Sequence, residues 1–123
     1  DDSYMVKKIS KTKQTEQLLS DILAYKNSLA YLRNVAECGT VPNAEAENVR
    51  KQIRYLECTI EAVENAFALL SDVEYDIITN LYLVPGNSVE DLCEMCALER
   101  SSVYRYRASA LRKLTKAVYG AEA

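Results

Sequence analysis

A four–three rhythm of apolar residues runs twice through the first half of the chain and breaks once in between. It limits the fold more than any other feature. Leu18, Ile22, Tyr25, Leu29, Leu32 and Ala36 alternate steps of four and three, and so do Val49, Ile53, Leu56, Ile60, Val63, Phe67 and Leu70. That period lines one side of an α-helix, whereas a half-buried strand needs a period of two. The break, Gly39-Thr40-Val41-Pro42-Asn43, holds the residues that end helices and cap new ones. The spacing predicts helices from about Thr15 to Glu37 and from about Ala44 to Leu70, the second capped by Asn43. Two seams of similar length on a short loop predict an antiparallel helical hairpin. Leu19, Tyr31 and Ala66 widen the apolar faces, which calls for a third helix or a second chain against them.

The rest of the chain repeats the helical signal in shorter pieces. Ser71 with Glu74 forms a capping box that opens a helix over Asp72 to Leu83, with Val73, Ile77, Ile78, Leu81 and Val84 apolar and Tyr75 and Tyr82 partly buried. Pro85-Gly86-Asn87 ends it. Ser88 with Asp91 forms a second box, followed by Val89, Leu92, Cys93 and Cys96 on one face. Ala97-Leu98-Glu99 makes a turn. A last helix then starts near Glu99–Arg100, with Val103, Tyr106, Ala110, Leu111, Leu114 and Val118 as its buried stripe. Three Gly and two Pro in 123 residues leave few turns, and no strand pattern or internal repeat interrupts the helices. The expected fold class is all-α: a flexible basic tail over 1–13, a coiled-coil-like hairpin arm over 14–70, and a three-helix unit over 71–120.

Charge is polarised along this order. The net charge is only −3, yet from Arg100 to Tyr119 there are six basic residues and no acid. From Gln14 to Glu99 there are five basic residues against fifteen acids, and Lys7, Lys8, Lys11 and Lys13 add a basic cluster in the tail. The tail cluster reads either as phosphate contacts or as a soluble extension. A basic helix on an acidic body is the electrostatic footprint of a nucleic-acid binder. Catalytic constellations are missing. With no histidine, Ser-His, Cys-His and His-metal arrangements are excluded, and the paired carboxylates, such as Glu61 and Glu64, fall on polar helix sides. Cys93-x-x-Cys96 has the spacing of half a zinc site, but its other half would be Cys38 and Cys58 on different helices, and both cysteines sit on an apolar face. The chain is therefore expected to be no enzyme and to carry no cofactor or metal. No run of apolar residues is long enough for a membrane span and no signal peptide is visible, so a cytoplasmic protein is expected.

A short acidic helix, a tight turn and a longer basic helix are the order of a helix-turn-helix, whose second helix enters the DNA major groove. The stretch SVEDLCEMCALERSSVYRYRASALRKL resembles the fourth region of bacterial sigma factors. The likeness rests on Ser88-Val89, on Leu92 and Cys93 at buried positions, on Ala97 where Gly is usual, on Ser102-Val103, and on Ala110-Leu111-x-x-Leu114. The ending SSVYRYRASALRKLTKAVYG is similar to small phage and prophage late-operon regulators of the ArpU/RinA type. The resemblance covers the C-terminal segment and is thin before it. Glu99 departs from the usual Ser or Thr cap, and Cys93 from the usual Ala. The resemblance implies a transcriptional regulator with its recognition helix at about 100–119. Arg100, Ser101 and Arg105 would face base edges, and Ser102, Tyr104, Arg107, Arg112 and Lys113 would contact phosphates. Neutralising about four phosphates gives a salt slope near −3.6.

Double-stranded DNA is the expected partner. The hairpin has three uses the sequence does not separate: homodimerisation that places two recognition helices on half-sites, docking onto RNA polymerase or a partner regulator, or plain support. Two other readings stand beside the regulator. One is a DNA-packaging protein like a small terminase subunit, and the other a helical interaction module whose motif binds nothing.

Overall fold

The computed structural model describes residues 10–39 and 41–120. Among these the chain is all-helical, with five α-helices and no strand. The first, α1, runs Lys11–Glu37. It starts four residues before the expected Thr15 because the Ser10 hydroxyl accepts the Lys13 N–H at 3.1 Å, satisfying one of the donors a helix start leaves open. The last three residues of the expected flexible tail are therefore helical; Lys7 and Lys8 lie outside the described residues. α1 stops at Glu37; the Gly39 N–H reaches back to the Ala36 carbonyl at 3.3 Å, and Gly39 then turns the chain away with a left-handed φ of 66°.

α2 spans Asn43–Ala66. Asn43 does not cap it. The cap is Pro42, whose extended backbone leaves its carbonyl accepting from Glu45 and Ala46 at 2.9 and 3.1 Å, so Asn43 becomes the first helical residue. The expected end at Leu70 is also refined, because Phe67–Leu69 tightens into a 3-10 turn and Leu70 is extended. α1 and α2 run antiparallel. Lys26 pairs with Glu64 at 3.1 Å and Arg33 with Glu57 at 2.6 Å, so seven residues forward on one helix are seven back on the other.

α3 spans Asp72–Ile78 and α4 spans Val89–Cys96, and each opens on a closed capping box, Ser71 with Glu74 and Ser88 with Asp91. After Ile78 the helix widens into a π turn, Thr79–Leu83, before the chain extends at Val84. Two tyrosines are more open than the apolar pattern suggests for one chain. Tyr75 is 43% exposed, edge-on to Phe67, and Tyr31 is 67% exposed. Ala97 then takes a left-handed φ of 54°, the one non-glycine among the described residues to do so. This conformation explains why glycine suits the position, since a Cβ is disfavoured there. α5, Arg100–Tyr119, follows at once and ends on Gly120.

α5 carries both cores. Its first half contributes Val103 to a small cluster with Ile77 of α3 and Leu92 of α4. Its second half places Ala110, Leu111 and Leu114 among Leu19 and Ile22 of α1 and Ile60 and Val63 of α2. Neighbouring Ile77 and Ile78 point into different cores. The antiparallel pair thus closes over α5 and does not stand off as an arm.

A polar bond seals this junction. Thr15 and Thr115, both buried, bring their hydroxyls to 2.7 Å. The Thr15 hydroxyl spends its one proton on the Lys11 carbonyl at 2.9 Å, so Thr115 must be the donor between the two. Thr15→Val strands the Thr115 hydroxyl and is expected to cost about 1–3 kcal/mol, whereas Thr15→Val with Thr115→Val removes both groups and comes close to neutral. Urea unfolding of the two variants checks this; additive losses would exclude a shared bond.

Candidate functional site

Helical spacing and exposure together define an outward stripe on α5. Ser101, Arg105, Ala108 and Arg112 are exposed and recur at four, three and four residues, so they lie along one line opposite the buried Val103, Ala110 and Leu114. Among the described residues no carboxylate pairs with Arg105 or Arg112. Arg105 lies over the half-buried Tyr106 ring at 5.4 Å from its centre, which steadies the side chain without consuming its hydrogen bonds. Arg112 borders an open cleft of about 410 Å³ between the start of α1 and α5, shared with Thr12, Glu16 and Tyr104.

The other expected contacts divide. Arg100 sits to one side of the stripe, where it pairs with Glu90 of α4 and reaches the Tyr104 hydroxyl at 3.2 Å. The Arg100–Glu90 pair is more than 60% exposed on both sides, so water screens it and it can exchange partners. Tyr104 is 40% exposed beneath that guanidinium. Ser102 is half-buried on the other side of the stripe.

Arg107 and Lys113, expected at phosphates, are held in this structure by acids from other helices. Arg107 donates through Nε to the Tyr82 hydroxyl at 2.9 Å and through Nη2 to Glu16 at 2.8 Å. Tyr82 in turn donates to the same Glu16 oxygen at 2.7 Å, closing a three-residue ring. Burial opposes ionisation of Glu16, but the bonds from Tyr82 and Arg107 outweigh it and hold the carboxyl below its usual range. Burial, and then the bond given to Glu16, push the Tyr82 phenol up to about 12. Lys113 reaches down to Glu74, a carboxylate only 3% exposed, at 2.7 Å. Tyr82 is half-buried as expected, but no sequence signal points to its partners, and Glu16 looks like an ordinary helix-surface residue until α1 is brought against α5.

The cysteines divide by exposure. Cys93 and Cys96 pack against the small core of α3, α4 and α5, while Cys38 and Cys58 are exposed. Burial, with Asp76 and Cys93 adding negative charge, pushes the Cys96 thiol up, away from the thiolate that binds metal or reacts. Among the described residues no cluster of metal-ligating side chains forms and no helix is long and apolar enough to cross a membrane. Comparison with protein-family models, curated proteins and solved structures finds no match to this chain.

Proposed function

We propose that the chain is a sequence-specific DNA-binding transcriptional regulator in which α4, the turn at Ala97 and α5 act as a sigma-like helix-turn-helix. The observation that carries this reading is the stripe of Ser101, Arg105 and Arg112, which faces solvent without an acidic partner among the described residues. A major groove accepts one helix, and its guanine edges accept a bidentate guanidinium. Ser101 and Arg105 are assigned to bases. Arg112, with Ser102 and Tyr104, is assigned to phosphates, and Arg100 joins the base contacts by exchanging Glu90 for DNA. The resemblance to phage and prophage late-operon regulators supports a role in late-gene control inside the cytoplasm.

The internal ties of Arg107 and Lys113 lower the expected electrostatic share. With about two phosphates neutralised instead of four, log K falls with log salt at a slope near −1.8. The test is retention of labelled fragments of the genome that encodes the protein, at two salt concentrations. A few fragments are expected to be retained specifically. Arg105→Ala is expected to weaken them about 5- to 150-fold, the worth of one good base contact. Arg107→Ala, by contrast, is expected to lower the melting temperature and leave the salt slope unchanged. Equal, weak retention of every fragment would favour packaging over regulation, and a blank at low salt would remove DNA binding altogether.

A further inference from the structure

The two sides of the α1–α2 pair are unlike. One is laced by the Lys26–Glu64 and Arg33–Glu57 ion pairs. The other is aromatic and open. Two clefts of about 420 and 510 Å³ adjoin there and share Tyr25 and Tyr55, and Tyr55 is 64% exposed. Lys51 lines the first cleft and Asp21 the second. Among the described residues neither has an ion-pair partner; the Asp21 carboxylate accepts only from Gln17, at 3.1 and 3.2 Å.

These charges are placed symmetrically. Asp21 precedes Tyr25 by four residues and Lys51 precedes Tyr55 by four, which puts each charge about 6 Å along its helix from the aromatic centre. Because the helices are antiparallel, the two displacements point in opposite directions. A two-fold axis lying in this face, passing between the tyrosines and perpendicular to the line from Asp21 to Lys51, lays each copy's Asp21 on the other's Lys51. The same rotation brings the exposed Tyr55 and the half-buried Tyr25 of both copies together at the centre. Aromatic residues at the middle with paired charges at the margin are the anatomy of an isologous interface.

We infer that the face formed by Tyr25, Leu32 and Tyr55 binds a second copy of this chain, with Asp21 of each copy against Lys51 of the other. A second copy fits the face because opposite charges without ion-pair partners among the described residues flank one aromatic patch, so a two-fold lays each against its opposite in the other copy. The inference does not depend on DNA binding.

Sedimentation equilibrium of the full chain across a concentration series tests it. The expected species is a dimer of the 13.9 kDa protomer. Asp21→Lys alone, or Lys51→Asp alone, turns both cross-contacts into like-charge contacts, and each is expected to weaken dimerisation about tenfold or more. The double exchange, D21K with K51D, restores opposite charges and is expected to return affinity to within about threefold of the parent. Circular dichroism of the three variants, whose changes are at the surface, verifies that helicity is kept. A monomer at every concentration would overturn the inference. A dimer that ignores the single exchanges, or is not rescued by the double, would overturn it equally by placing the contact on another surface.

Discussion

Truncating Leu114 to Ala is expected to lower stability by about 2–5 kcal/mol. It should also leave one unfolding transition, not two. Leu114 is 1% exposed and lies where α5 meets the apolar faces of α1 and α2. Removing three carbons there opens a cavity that three helices line, and none can collapse into it without leaving its other contacts. The loss is a large share of the ~5–15 kcal/mol that holds a domain together. Urea unfolding followed by far-UV circular dichroism and by tyrosine fluorescence separates the outcomes. Coincident curves with a lowered midpoint are expected. A second transition, in which α1 and α2 stay helical after α5 has melted, would mean that the antiparallel pair folds alone.

Acidification is expected to take away the contribution of Glu74 late and steeply. Burial opposes ionisation of this carboxylate, but bonds from Lys113, the Ser71 N–H, Ser109 and the Ser71 hydroxyl outweigh it. Together they bring the group from an ordinary 4.5 down to about 2. The folded value is the lower one, so the unfolded chain takes up the proton first. The stabilisation is complete above the unfolded value of 4.5 and is lost as pH falls towards the folded value of about 2. Its size is up to about 3 kcal/mol, reduced because Lys113 is 43% exposed and water screens its side of the contact. Glu74→Gln keeps the shape of the capping box and removes the charge. The variant should be less stable at neutral pH and should lose the part of the acid limb between those two values. An unchanged acid limb would show that Glu74 does not set it.

What could be read from the sequence was local. The four–three rhythm and the two Ser-led capping boxes depend on residues three or four apart, and those distances are fixed by the helix itself. Helical spacing places Ser101, Arg105 and Arg112 off the buried stripe, but it places Arg107 and Lys113 there too, and the resemblance alone assigns them to DNA. The partners of Arg107 and Lys113, Glu16 and Glu74, lie 91 and 39 residues away in the chain, and no helical wheel brings them together. Arg107 occupies a wheel position beside the buried stripe, where burial is decided by what packs over it. The helix starts were missed for a similar reason. At Ser10 a single hydroxyl bond competes with fraying, and at Pro42 the carbonyl geometry of the turn decides, not the better capping side chain one residue later. Tyr31 was expected to face a third helix or a second chain; within the described residues it borders an open cleft with Leu32 and with Gln52 of α2 and stays 67% exposed.

The double membership of α5 has a mechanical consequence. One helix supplies the floor for the antiparallel pair and carries the outward arginines on its back, with no linker between the two tasks. Among the described residues no joint lies between the two tasks, because both are on the one helix Arg100–Tyr119. If two copies join through their tyrosine faces, the distance and angle between their arginine stripes are set by packed side chains, as the points of a locked pair of dividers are set by the screw. If the stripes read DNA as proposed above, such a dimer would also measure it, rejecting paired half-sites whose separation is wrong even when every base is right.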